Sequence, residues 1–436
     1  MSALALLGGD PVRTRPFPSW PQSTDADRRR LLDVLDSGNW GGFPFPNRWA
    51  EEFAARFAFH HGALYGCAVA NGTVALVAAL RAAGIRFGDE VIVPAYTWEG
   101  TAVAVLDAGG VPIFADIDPD TYCLDQGAAR RAITSRTRAI LPVHLAMRFA
   151  DLDALASLAR EHNLALIEDC AHAHGGAWNG RGAGSTGDLG CFSFQSSKLM
   201  TAGEGGIVIT SRLDCFELLQ SLVNCGRASA TDQFHRRLPG TNYRITEFQA
   251  ALLIGQLERL DELSEHRSRH AARLTRALCS IDGVRPLAPQ PRQTREAIYQ
   301  YVFRYQPPDP CVSRDLFAAA LEAEGIPCDG RFYEAVYRSD LFHVTPQDYP
   351  QLSAGYGAIH CPIAERAAYE ESVWLPHFLL LGDENDVDDI ARAVAKVMAN
   401  LESLAGADAS LVSVKSVSVK SMSRAERPLV EKARNY

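Results

Sequence analysis

Between residues 65 and 210 the chain alternates short, almost continuously apolar runs with segments whose apolar positions recur at helical spacing. The runs at 65–70, 90–94, 112–117, 138–144, 164–169, 190–194 and 206–210 read as strands. They are too uniformly apolar to be half-exposed, so both faces of their sheet should be covered. Segments 73–83 and 152–161 carry the helical pattern between them. The alternation predicts an α/β fold whose large domain holds a mostly parallel, seven-stranded sheet. Ligands in such sheets bind beyond the carboxyl ends of the strands. Asn71-Gly72-Thr73, Tyr96-Thr97-Trp98, Asp169 and Lys198 all fall on that rim.

From Glu247 the period changes. Phe248, Ala251, Leu252, Ile254, Leu257, Leu260 and Leu263 recur at helical spacing, and the helix is expected to run to Leu278. A smaller C-terminal α/β domain should follow, with a strand at 298–305 and a last helix near 386–401. The predicted domains are 1–259 (large), 260–403 (small) and a tail, 404–436. That tail repeats Val412-Ser413-Val414-Lys415-Ser416 as Val417-Ser418-Val419-Lys420-Ser421 and holds few large apolar residues, so disorder is expected there.

Composition narrows the function. In 436 residues, Asp+Glu number 52 against 43 Lys+Arg, for a net charge of −9, without a basic stripe. This argues against nucleic acid as a partner and for small-molecule substrates. No apolar run approaches the length of a membrane span, and the N-terminus lacks a basic flank. Ten cysteines are scattered without a Cys-x-x-Cys pair, several inside strand patterns. A reduced, cytoplasmic protein is expected.

The chemistry centres on Lys198. It follows an apolar strand and a hydroxyl-rich turn and precedes the glycine-rich Gly203-Glu204-Gly205-Gly206. A merely solubilising lysine would be unusual there. Asp169 ends a neighbouring strand. A lysine and an aspartate so placed are what pyridoxal 5'-phosphate (PLP) requires: the amine bonds the cofactor aldehyde, and the carboxylate keeps the pyridine nitrogen protonated. Gly72 and Thr73 open a helix whose free N–H groups suit the phosphate, although a Gly-Thr helix start is common and says little alone. Ser193 is a second phosphate donor, Trp98 can stack on the ring, and His172 can contact the ring beside its phenolic oxygen. Asp169, Cys170, His172 and His174 also resemble metal ligands. Four donors so close in sequence rarely close a tetrahedral site, and no metal is expected.

The spacing of Asn71-Gly72-Thr73, Tyr96-Thr97-Trp98, Asp169-Cys170-Ala171-His172 and Lys198 resembles the DegT-type sugar aminotransferase family of fold type I PLP enzymes. Gly240-Thr241-Asn242-Tyr243-Arg244 and Cys361-Pro362-Ile363-Ala364-Glu365 fit as well. The resemblance spans roughly residues 10–400 and implies a homodimer with the site at its interface, Asn242 reaching the partner subunit's PLP phosphate. Within the family, Gln195 to Gly206 and Ala171-His172-Ala173-His174-Gly175 look most like two subgroups. These are the glutamine-dependent inosose aminotransferases of aminoglycoside pathways and the aminohydroxybenzoate synthases. After Pro142-Val143-His144-Leu145 many relatives carry a glycine, whereas this chain reads Ala146-Met147-Arg148-Phe149. That places a bulky, cationic stretch beside the expected substrate rim.

The resemblance therefore implies an aminotransferase moving an amino group from glutamine or glutamate to a cyclic ketone, an inosose-like cyclitol or keto-sugar, in natural-product biosynthesis. One alternative is a PLP-dependent dehydratase/aromatase resembling 3-amino-5-hydroxybenzoate synthase. Another is a non-catalytic PLP-binding partner subunit of an oxidoreductase, against which the intact Lys198 and Asp169 argue.

Overall fold

A computed structural model describes residues 3–228, 238–308 and 311–406. Its largest sheet is built from β1 (Tyr65–Val69), β2 (Glu90–Pro94), β3 (Val111–Ala115), β4 (Thr137–Ile140), β5 (Ala165–Asp169), β8 (Leu189–Ser193) and β9 (Gly206–Thr210). The two-residue strands β6 (Ala177–Trp178) and β7 (Arg181–Gly182) form a separate ribbon with β11 (Gln293–Arg295). Spatial order in the large sheet is β1-β9-β8-β5-β4-β2-β3. Only β9 runs against the others, pairing antiparallel with β1 and β8. The expected mostly parallel, seven-stranded sheet is therefore present.

Its strands are buried on both faces because helices cover both. These include α1 (Asp25–Ser37), α2 (Arg48–His60), α3 (Gly72–Ala82), α4 (Gly100–Asp107), α5 (Gln126–Ala132), α6 (Leu152–Glu161) and α7 (Leu213–Val223). Helix α2 starts where Glu247 accepts the amides of Trp49 and Ala50 at 2.8 and 3.0 Å, so a carboxylate 197 residues away caps it. Helix α8 (Glu247–Leu278) has the predicted limits. A capping box of Thr246 and Gln249 opens it.

A second apolar core forms around the sheet β10 (Val284–Pro286)–β12 (Gln300–Tyr305)–β13 (Ser372–Pro376). It takes in the far half of α8, α9 (Arg314–Ala323) and α11 (Glu384–Met398), while the short α10 (Pro362–Arg366) packs on the first core. Leu4 is buried in that second core, so the N-terminal apolar stretch has a structural use. Helix α8 serves both cores without a break.

Two expectations need correction. Strand β4 stops at Ile140 instead of 144, since Pro142 has no N–H for the ladder. The chain beyond it stays beside β5 through the Val143–Asp169 bridge. A short helix (Leu401–Ala405) enters the span assigned to the tail, because Leu404 is buried in the second core. Residues 407–436, with the repeat, lie outside the described residues. The bulky, cationic Ala146-Met147-Arg148-Phe149 is buried. Arg148 donates to the Met147 and Leu287 carbonyls, and Met147 sulfur accepts from the Val302 amide. Among the described residues no helix is long and apolar enough to cross a membrane.

Candidate active site

Asp169 is the last residue of β5, paired in register with Cys191 of β8. Five residues past β8 comes Lys198, held in a tight turn by its amide to the Gln195 carbonyl. Both side chains are largely buried. Asp169 Oδ1 accepts the Ala171 amide at 3.1 Å and Oδ2 accepts the Thr101 hydroxyl at 2.9 Å. Thr97 in turn lies 3.2 Å from Thr101, one helical turn back. Burial pushes the Asp169 carboxyl up, while the Ala171 amide, Thr101 and the Lys198 charge pull it down, and burial wins. No cationic side chain pairs with Asp169 among the described residues. The carboxylate therefore retains room for one cationic N–H, the group a protonated pyridine presents.

The anion end is equally specific. Asn71 Oδ1 caps the Val74 amide at 2.9 Å, leaving the Gly72 and Thr73 amides of α3 without intrahelical partners. A Cβ on Gly72 would stand 2.5 Å from Ser193 Cβ, so the helix start presses against Ser193. A Cβ on Gly100 would stand 2.7 Å from the Trp98 indole and 3.3 Å from Thr73 Oγ1, which puts the indole and the hydroxyl side by side. Trp98 keeps half its surface exposed, with a free face for stacking. Gly72 and Ser193 thus meet at the anion end, with Trp98 beside Thr73, while Asp169 and Lys198 stand at the ends of the neighbouring strands. These residues fit PLP.

His172 is held at both ring nitrogens. Its Nδ1 accepts the Ala146 amide (3.1 Å), and its Nε2 lies 3.1 Å from the Tyr333 hydroxyl. Both ring nitrogens are therefore occupied. Ala146 takes a left-handed φ of 58° to aim that amide. Burial, reinforced by the Lys198 charge, holds His172 well below the ordinary imidazole range, so the ring is neutral. Asn242 stands apart. It is exposed, bridges Asn224, and accepts the Arg244 amide at 3.4 Å.

The aromatic side of the site, drawn from Trp20 and from the chain beyond α8, leaves no signal in the sequence. Lys198 Nζ lies 4.3 Å from the centre of the Tyr299 ring. Tyr299 packs on His172 at 4.2 Å, and Tyr333 lies parallel to His172 at 6.0 Å. The Trp20 indole donates to the Lys198 carbonyl at 3.1 Å, and His377 Nε2 sits 3.2 Å from the Ser197 carbonyl. Only Thr101 left a local trace, at i+4 from Thr97.

The metal-like run does not converge. Asp169 and His172 are committed as described, and His174 Nε2 takes the Ser193 carbonyl at 2.9 Å. The ligand-type group that does converge is His144, Glu168 and Cys170. Two of its members already bond each other, His144 Nε2 to Glu168 at 2.9 Å, while His144 Nδ1 accepts the Ala150 amide.

This sheet, with a lysine and a buried aspartate at its strand ends, defines a fold type I PLP-dependent aminotransferase. More particularly, the chain belongs to the DegT/DnrJ/EryC1/StrS aminotransferase family, whose model matches residues 21–395. A Streptoalloteichus tenebrarius protein assigned as an L-glutamine:3-amino-2,3-dideoxy-scyllo-inosose aminotransferase is 48% identical over 413 residues, covering 92% of this chain and 99% of the relative. The L-glutamine:2-deoxy-scyllo-inosose aminotransferase of Micromonospora echinospora is 38% identical, with 93% and 100% covered. Among solved structures, 3-amino-5-hydroxybenzoic acid synthase superposes with a TM-score of 0.81 at 35% identity, over 89% of this chain and all of that one.

Proposed function

We propose that the protein transfers an amino group from glutamine, or glutamate, to a polyhydroxylated cyclic ketone of the inosose type in aminoglycoside biosynthesis. The observation that carries this reading is the retained, largely buried Lys198 within electrostatic reach of a buried Asp169 that no cationic side chain pairs with among the described residues. Relatives of nearly full length named for glutamine and inososes support the substrate class. When bound, PLP supplies an electrophilic carbon and an electron sink for the bonds at the substrate amine.

Lys198 Nζ moves the proton at the amino-bearing carbon, as base in one direction and acid in the other. Asp169 would hold the ring N–H, Gly72, Thr73 and Ser193 the phosphate, Trp98 would cover the ring face, and His172 would contact the ring beside its phenolic oxygen. We assign residues 1–259 to the cofactor-binding unit and 260–403 to a smaller one, built around the sheet β10–β12–β13, although the segment near α10 packs on the first core. We further assign a homodimer in the cytoplasm in which the exposed Asn242 serves the partner's phosphate site.

The test is an absorbance scan of the purified holoenzyme with L-glutamine and no ketone. Loss of a band near roughly 420 nm with growth near roughly 330 nm is the expected outcome of amino transfer to the cofactor. A band unmoved by glutamine and glutamate, with a new aromatic product from a cyclic precursor, would replace this reading with the dehydratase/aromatase one.

A further inference from the structure

Two tyrosines flank His172, and their protons lie in different places. Tyr299 Oη is 2.7 Å from Ser197 Oγ, and Ser197 Oγ donates to Gln195 Oε1 at 2.7 Å. A serine hydroxyl has one proton, so Tyr299 donates to Ser197 and its proton is committed. Tyr333 is the reverse case. The Ala146 amide donates to His172 Nδ1, and the ring is neutral, so the imidazole proton sits on Nε2. His172 therefore donates to Tyr333. The Tyr333 hydroxyl proton is left without an acceptor among the described residues.

Tyr333 is largely buried, and its burial, together with Tyr299 and Asp169, raises its pKa well above the ordinary value. It keeps its proton at neutral pH. A buried donor without an acceptor is costly, and native sites that contain one usually fill it with a ligand atom. The location suits a ligand: the Tyr333 ring lies 6.3 Å from Trp98 and shares His172 with Tyr299, over which Lys198 Nζ sits.

We propose that Tyr333 is a substrate-binding donor whose hydroxyl hydrogen-bonds an oxygen of the polyhydroxylated cyclic ketone, with His172 as the positioning residue that fixes its direction. This rests on the reading of the site as a ketone-accepting aminotransferase. The chain Ala146 N–H, His172, Tyr333 is unidirectional: each member donates to the next, and the last donates to the substrate. The bond belongs to the ketone step, and glutamine, whose acceptors are only its carboxylate and amide oxygens, serves as the control.

The test separates the two half-reactions in Tyr333→Phe holoenzyme, which loses one oxygen and keeps the ring packing. Glutamine consumes the visible band in the first step, and 2-deoxy-scyllo-inosose or scyllo-inosose restores it in the second. The glutamine step should stay within about twofold of wild type, while the apparent affinity or rate with the ketone falls about 10–100-fold, the range for a lost buried hydrogen bond. His172→Phe should shift the ketone step in the same direction by less. Tyr299→Phe, whose proton holds the lysine turn, should slow both steps together. Equal losses in both steps of Tyr333→Phe, or none, would overturn the proposal. So would a shifted pH titration of the visible band, which would make the cofactor's own phenolic oxygen the acceptor. If wild-type enzyme takes the amino group from glutamine but neither inosose restores the band, the ketone reading itself fails and this proposal with it.

Discussion

The two walls of the site differ in kind. The strand-end wall carries the charges: Asp169 in β5 and Lys198 just past β8, each a few residues from a ladder of main-chain hydrogen bonds. The facing wall, drawn from the chain beyond α8, supplies neutral groups: Tyr299, Tyr333 and His377. Fixed charges need rigid placement, since burial amplifies an error in their separation. Neutral donors tolerate small shifts and can be exchanged for a different substrate outline. The difference predicts that chemistry resides on the first wall and substrate choice on the second.

Lys198→Ala should break this contrast most visibly. Turnover with any donor should fall by roughly 10³-fold or more, with the melting temperature little changed. Asp169→Ala should cost about 10²-fold in turnover, measured at saturating cofactor so that weaker binding is not mistaken for slower chemistry. Unchanged rates in either variant would move the charge work elsewhere.

Behind the first wall, Glu168 accepts His144 Nε2 and the Gly184, Thr186 and Gly187 amides. Burial pushes this carboxyl up, but His144 and the amides outweigh it and hold it below the ordinary carboxylate range. The folded-state pKa is depressed, so the stabilisation is present above the unfolded value of 4.5 and is lost as pH falls below it. Glu168→Leu strands four buried donors and should lower stability by about 3 kcal/mol, read from the denaturant midpoint.

Thr101→Val removes one hydrogen bond to Asp169 and should raise its pKa further. The acid limb of the pH–rate profile then moves to higher pH, with a loss of about tenfold or less at neutral pH. Smallest of all, Trp20→Phe deletes the bond to the Lys198 carbonyl and should slow both half-reactions by about threefold. A larger effect on the ketone step alone would blur the division between the walls.

The same contrast explains what was legible in the sequence. Helices α6 and α8 came out at their actual limits, because amphipathic spacing and a capping box are local signals. Asp169 and Lys198 were visible because a polar residue ending an apolar run needs only a dozen residues to be noticed. Tyr333 lies 135 residues beyond Lys198 in a stretch without regular structure, and Tyr299 just ahead of β12 reads as an ordinary strand aromatic. Nothing near them in the chain announces the His172 they share. The environment of Arg148 has no local signal either: only the fold provides the Met147 and Leu287 carbonyls that receive it.

Arg267, on α8 where the two cores meet, is fully buried, and none of its three guanidinium nitrogens has a hydrogen-bond partner among the described residues. Its guanidinium lies over the Trp20 ring, 5.3 Å from the centroid, and burial pushes its pKa down to about 9. An enzyme engineer should start there. A desolvated cation without a counter-ion is a liability that an apolar side chain of similar reach would remove, and Arg267→Met is the substitution by which this scaffold gains heat tolerance, on the order of 1–4 kcal/mol.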